Sequence, residues 1–134
     1  MQLSRFIGMF FLIAAPVMSA APLQAQPTVG PEITVSESDF DQHLPNVTYN
    51  HQHREFMVVW HDKPVGQTRV IRGRRYTAEG AFLAEYVLVS DASYDNGQPA
   101  IAYDSVYDRY LLVYAHDSLG GGTNWDVYGR IIPW

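Results

Sequence analysis

The chain has 134 residues, of which 47% are hydrophobic and 17% charged, with no cysteine and a formal net charge of −5. The acidic balance argues against nucleic acid as a partner, because phosphate binding needs a concentrated basic surface. The lack of cysteine excludes a disulfide framework, cysteine-ligated zinc and thiol catalysis, so a packed core must supply the stability.

The N-terminus predicts a cleavable signal peptide over residues 1–25. Arg5 supplies its positive charge, and residues 6–18 form an apolar stretch that is too short to span a bilayer as a helix. Small residues follow, and we place the cleavage after Ala25. The sequence therefore predicts an exported protein, periplasmic or extracellular, without membrane attachment after cleavage, whose first mature residues, 26–32, form a linker.

Residues 33–134 contain two copies of one repeat. Residues 33–60 align with residues 87–114 at an offset of 54. Two later insertions, which belong in loops, bring the Gly-Arg pair at 73–74 over the pair at 129–130. The sequence thus predicts one repeat domain, with copy one over about 33–86 and copy two over about 87–134.

Each copy predicts short strands separated by polar turns. Segments 45–50 and 99–104 alternate between apolar and polar residues, as strands with one buried face do. Segments 55–61 and 110–114 are apolar on both faces, which is typical of an inner strand. Further strands are expected at 68–76, 82–90 and 125–132.

Four antiparallel strands per repeat predict an all-β fold of two propeller-type blades, with a β-solenoid or a sandwich as the alternative. Copy two ends after its third strand, whereas residues 33–36 (ITVS) align with the fourth-strand segment 87–90 (VLVS). We therefore expect a strand formed by Ile33, Thr34, Val35 and Ser36 to complete the last blade. Because two blades cannot close a ring, the acceptor would be a neighbouring chain. Rings of two, three or four chains are possible, and we favour three.

The repeat resembles tandem repeats of secreted bacterial proteins that are thought to form β-propellers. The shared pattern is P-x-[VI]-x-Y-[ND]-x4-[RE]-[FY]-[ML]-[VL]-V-[WY], then a Gly-Arg pair and x-G-x5-[VF]-x-[VL]-S. It covers nearly all of the mature chain. The resemblance implies secretion and a propeller fold, and it supplies no catalytic residues.

Aromatic and basic side chains are the candidate ligand-binding residues. Trp125, Trp134 and Tyr107 lie at predicted strand ends or in turns, where flat rings can stack on sugar faces. Arg72 and Arg74 share one strand face. They could hold a carboxylate or a sugar acid, or else form ion pairs within the fold.

A metal site is the weaker interpretation of the histidines. His51, His53, His61 and Asp62 carry groups that bind Zn²⁺, but the first two lie in a turn and the others one strand length away. We therefore expect solvated turn residues, no metal and no cofactor.

Together these features predict a secreted, non-catalytic binding module, lectin-like with glycans as ligands, that assembles with itself into an oligomeric propeller. The alternative is a structural or adhesive piece, or a fragment of a longer surface repeat protein, without a ligand of its own. A glycoside-acting enzyme comes third, because no nucleophile motif, phosphate loop or dinucleotide fingerprint occurs.

Overall fold

The computed structural model describes residues 29–134, of which Glu32–Trp134 form one compact unit. The predicted signal peptide and linker residues 26–28 lie outside the described residues. Within the described part, no helix is long and apolar enough to cross a membrane.

Over residues 29–134, seven strands form two antiparallel sheets, which confirms the all-β prediction. Sheet one has the order β1-β2-β3-β4 and sheet two the order β5-β6-β7. The strands are β1 (Asp41–Asn50), β2 (Glu55–Lys63), β3 (Val70–Thr77), β4 (Phe82–Val89), β5 (Asn96–Asp104), β6 (Arg109–Asp117) and β7 (Trp125–Pro133). Sheet one therefore has four strands and sheet two has three, and β4 runs from the end of copy one into the start of copy two.

The turns that join β1 to β2 and β5 to β6 are built in the same way. Asn50 Oδ1 accepts hydrogen bonds from the backbone N–H groups of residues 52 and 53, at 3.1 Å each. Its repeat equivalent Asp104 accepts from residues 106 and 107, at 3.0 and 3.4 Å. Each turn ends on a residue with positive φ, Arg54 (55°) or Asp108 (49°). Short polar side chains that cap their own turn fix both hairpins.

Strands β1 and β5 begin earlier than the sequence pattern predicts. Each contains a β-bulge next to its proline, between His43 and Asn46 in β1 and between Gly97 and Ala100 in β5. Proline lacks a backbone N–H and is tolerated in strands at such bulges. Pairing therefore continues through Pro45 and Pro99, which the pattern indicates as strand starts.

The core lies between the two sheets. Sheet one contributes Met57, Val59 and Ile71, and sheet two contributes chiefly Tyr110 and Leu112, all at most 2% exposed. Strand β5 lies alongside β1 and β2 and, less closely, β3. The sheets are therefore closest at their first strands.

Candidate functional site

Two adjoining cavities of about 740 and 460 Å³ lie where β2 and β6 end, and both are lined by Lys63 and Arg69. We call them together the Trp125 cleft. Side chains of both sheets and their loops line it: Asp41, His43, His61, Lys63, Thr68, Arg69, Ser93, Asp95, Asp117 and Trp125. The cleft is thus rich in both charged and neutral hydrogen-bonding groups.

Asp95 holds the two basic side chains of the cleft. Its Oδ1 accepts the backbone N–H of Arg69 at 2.6 Å, and its Oδ2 accepts from Arg69 Nη1 at 3.0 Å and Lys63 Nζ at 3.4 Å. Burial raises the pKa of Asp95, but the Arg69 N–H and the charges of Arg69 and Lys63 outweigh burial and lower it overall. The carboxylate is therefore charged at neutral pH and ties the loop before β3 to sheet two.

Asp117 lines the cleft and has one buried carboxylate oxygen without a partner among the described residues. It is 2% exposed, and its Oδ2 accepts the Gly122 N–H at 2.6 Å. Its buried Oδ1 has no hydrogen-bond partner among residues 29–134. A buried carboxylate oxygen without a donor costs free energy, and because this oxygen has almost no accessible surface, a ligand hydroxyl reaches it only after neighbouring groups move aside.

Trp125 provides a flat apolar surface in the cleft. Its Nε1 donates to the Gly122 carbonyl at 3.0 Å, and the Arg69 guanidinium lies 5.9 Å from the ring centre. The loop before it has positive φ at three successive residues, 120–122 (73°, 80° and 76°), a path that only glycine follows without strain. The ring is 38% exposed and is therefore held but accessible.

His61 lines the smaller cavity as a neutral imidazole. Burial lowers its pKa, as do the nearby Arg69 and His43, while Asp95 and Asp62 act in the opposite direction. It can therefore donate one hydrogen bond and accept another at neutral pH.

The other predicted aromatic residues lie at the opposite, turn end of the sheets. Trp134 stacks on His53 at 3.4 Å between ring centres, and its Nε1 donates to the buried Glu55 at 2.5 Å. Tyr107 is 69% exposed in its turn, with the Arg109 guanidinium 4.4 Å from its ring centre. Trp134 thus takes part in the internal packing, and neither residue shares a site with Trp125.

Arg72 and Arg74 lie on the outer face of sheet one, as their shared strand face predicts. Arg72 bonds Asp62 Oδ2 at 2.6 Å and Glu85 at 3.0 Å, and Arg74 bonds Glu85 at 2.8 Å. Burial lowers the pKa of Arg74, but its hydrogen bonds to Glu85 and Tyr76 raise it overall. Both guanidinium groups are engaged in ion pairs within the sheet, the alternative that the sequence left open.

The candidate metal ligands are not brought together. His51 packs on the Tyr103 ring, and His53 bonds Asp108 Oδ2 at 2.9 Å, both at the turn end. His61 and Asp62 lie near the far end of β2. Over residues 29–134, no three His, Asp or Glu side chains form a group that could hold a metal ion.

Sequence reasoning named Trp125 but missed Lys63, Arg69, Asp95 and Asp117 as its neighbours. One signal was available, because the His-Asp pair at 61–62 recurs at 116–117. The recurrence, followed by three glycines at 120–122, indicates a constrained loop beside the second pair.

Comparison with known proteins assigns no family to this chain. No protein-family model, curated protein or solved structure matches it. Its activity must be inferred from the Trp125 cleft and from the two sheets themselves.

Proposed function

We propose that this protein is a secreted, non-catalytic binding module whose ligand is a carbohydrate held in the Trp125 cleft. The observation that carries the proposal is the accessible Trp125 ring, which lies in a cavity that adjoins one lined by the carboxylates of Asp95 and Asp117. Fold alone does not assign function, so the proposal stands on these side chains.

The cleft matches the two kinds of surface that a sugar presents. Sugar hydroxyls donate to carboxylates such as those that line the cleft, and they accept from Lys63 and Arg69. The C–H face of a sugar ring stacks on a flat aromatic ring such as Trp125. Two cationic side chains stand beside three carboxylates, those of Asp41, Asp95 and Asp117. This balance favours a neutral sugar over an acidic one.

The architecture that we propose for the module is an oligomeric β-propeller. Sheet two has three strands where sheet one has four, and of the described strands only β6 pairs with β7. The two sheets are closest at their first strands, as neighbouring blades are at a propeller axis. Residues 33–36 do not form a strand in the single chain. Their donation to β7 of another chain stays a prediction.

The binding proposal is tested with mature protein, residues 26–134, on a glycan array and then by titration with the best neutral sugar. We expect Trp125→Ala to weaken binding about tenfold or more, equivalent to about 1.4 kcal/mol, because the stacking surface is lost. Tyr107→Ala is the matched control. It removes an exposed aromatic at the other end of sheet two and should leave affinity unchanged.

Two results would overturn the carbohydrate assignment. One is a folded protein that binds no glycan on the array, which favours the structural or adhesive alternative. The other is a sugar whose affinity Trp125→Ala does not alter. Thermal melts of both variants establish that the folded state is retained.

A further inference from the structure

The two sheets meet through non-equivalent faces. We call "front" the face that carries Phe56, Val58 and Trp60 in sheet one and their repeat equivalents Tyr110, Leu112 and Tyr114 in sheet two. "Back" is the opposite face, with Met57 and Val59 in sheet one and Leu111 and Val113 in sheet two. The core joins the back of sheet one to the front of sheet two. Within residues 29–134, no other sheet faces the front of sheet one or the back of sheet two.

Both remaining faces carry apolar residues of the kind that the core buries. Val47, on the front of sheet one, is 57% exposed, whereas its equivalent Ile101 in sheet two is 9% exposed. Leu111, on the back of sheet two, is 44% exposed, whereas its equivalent Met57 is 2% exposed. Ile101 packs in one cluster with Met57 and Val59. Val47 and Leu111 would therefore meet if the same contact formed between chains.

The N-terminal segment marks the place of a preceding sheet. Arg130, on the front of sheet two, donates to the Leu88 carbonyl in β4 of sheet one at 2.5 Å. Its equivalent Arg74, on the front of sheet one, donates to the Val35 carbonyl. Residues 33–36 align with 87–90, so this segment lies on sheet one in nearly the way that the end of β4 lies on sheet two, with the bonded carbonyl shifted by one residue. It thus stands where the outermost strand of a preceding sheet would stand.

We propose that a second copy of this chain docks the back of its sheet two onto the front of sheet one, repeating between chains the contact made within the chain. The proposal rests on the oligomeric architecture given above and names its contact surface. In it, Leu111 and Val113 of one copy pack against Val47 of the next. The contact is heterologous, so successive copies share one rotation and can close a ring.

The proposed contact between chains is weaker than the contact between the two sheets of one chain. Within the chain, Asn46 Oδ1 accepts the Ile101 N–H across the sheets at 3.1 Å. Its equivalent in copy two is Ala100, whose side chain has no acceptor. On dilution the assembly therefore separates into folded single chains, each with its two sheets still packed.

The test uses two variants of the mature chain, each with one face blocked by a charge that must be buried on docking. Val47→Lys blocks the front of sheet one, and Leu111→Lys blocks the back of sheet two. Light scattering on a sizing column should give a multiple of the chain mass for the wild type and a single-chain mass for each variant. A one-to-one mixture should give a dimer, because the variants retain complementary faces. Val65→Lys, in an 83% exposed loop position, is the control and should assemble as the wild type does.

Four results would overturn the stacking proposal. Three of them are a monomeric wild type, wild-type assembly by either blocked variant, and a mixture that stays monomeric although each variant melts cooperatively. A variant that forms dimers by itself indicates two equivalent faces in contact and also overturns it. Sugar binding by the monomeric variants is measured separately. The Trp125 cleft lies within one chain, so loss of sugar binding and loss of assembly can be told apart.

Discussion

A buried carboxylate organises the turn end of the molecule. Glu55 is 2% exposed and accepts two hydrogen bonds from Arg75, at 2.9 and 2.7 Å. Its Oε1 also accepts from the Tyr110 hydroxyl at 3.2 Å and from the Trp134 indole at 2.5 Å. Burial raises the pKa of Tyr110 to about 12, with the Glu55 charge acting in the same direction. The Glu55 charge is tolerated because its oxygens are paired with donors from both sheets and the C-terminus.

Removal of the cation from this network should be costly. Arg75→Met keeps much of the apolar stem but leaves Glu55 as an uncompensated buried charge, so we expect the free energy of unfolding to fall by about 3 kcal/mol or more. Urea denaturation followed by fluorescence gives the value. The control is Arg54→Met, whose 3.5 Å pair with Glu79 is exposed. It should stay within about 1 kcal/mol of the wild type. Equal losses in the two variants would contradict a stabilising role for the Glu55 network.

At the level of strands, the repeated Gly-Arg pair lies once on a strand whose back face is covered and once on a strand whose back face is not covered by the described residues. The Gly-Arg pair recurs at 73–74 and 129–130, in β3 and β7. A Cβ on Gly73 would lie 2.8 Å from Leu88 Cδ1 in the core, because β3 is covered on its back face. Among the described residues, a Cβ on Gly129 would meet nothing closer than 3.7 Å, because no sheet of that part of the chain faces the back of sheet two.

The two glycines should therefore respond differently to the same substitution. Gly73→Ala forces Leu88 to move within a packed core and should lower the free energy of unfolding by about 1–3 kcal/mol. Gly129→Ala should be neutral or raise it by a few tenths, roughly, since the unfolded chain loses freedom. Both are measured by urea denaturation in the Val47→Lys background, so that docking of a second chain does not contribute. A Gly129→Ala loss as large as that of Gly73→Ala would mean that its back face is not open.

The strands could be predicted from the sequence because their signals are local. Alternating apolar residues and the capping residues Asn50 and Asp104 define hairpins without reference to the rest of the chain. The bulges at Pro45 and Pro99 could not be predicted, since a bulge is defined by the partner strand. The neighbours of Trp125 come from β2, the loops before β3 and β5, and β6. They converge only through the packing of the two sheets, which no local pattern contains.

At the scale of the whole molecule, the edge strand β7 and the segment 33–36 both have backbone hydrogen-bonding groups without a partner among the described residues. An unpaired strand edge carries free N–H and C=O groups and invites pairing with another chain. Thr34 and Val35 donate no backbone hydrogen bond to the rest of the described chain. If residues 33–36 pair with β7 of a second copy, backbone N–H groups of this segment donate hydrogen bonds to β7, which they do not do within the single chain.

Proline scanning of that segment separates strand pairing from simple packing. Successive N–H groups of a strand point to opposite sides, so in an outermost strand one faces its partner and the next faces solvent. We therefore expect one of Thr34→Pro and Val35→Pro to reduce the light-scattering mass to a single chain and the other to assemble as the wild type does. Thr34→Ala and Val35→Ala, which keep the N–H, should both assemble. If both proline variants assemble, or both dissociate to the same extent, residues 33–36 contribute by packing alone and the fourth strand of sheet two is not donated by a neighbour.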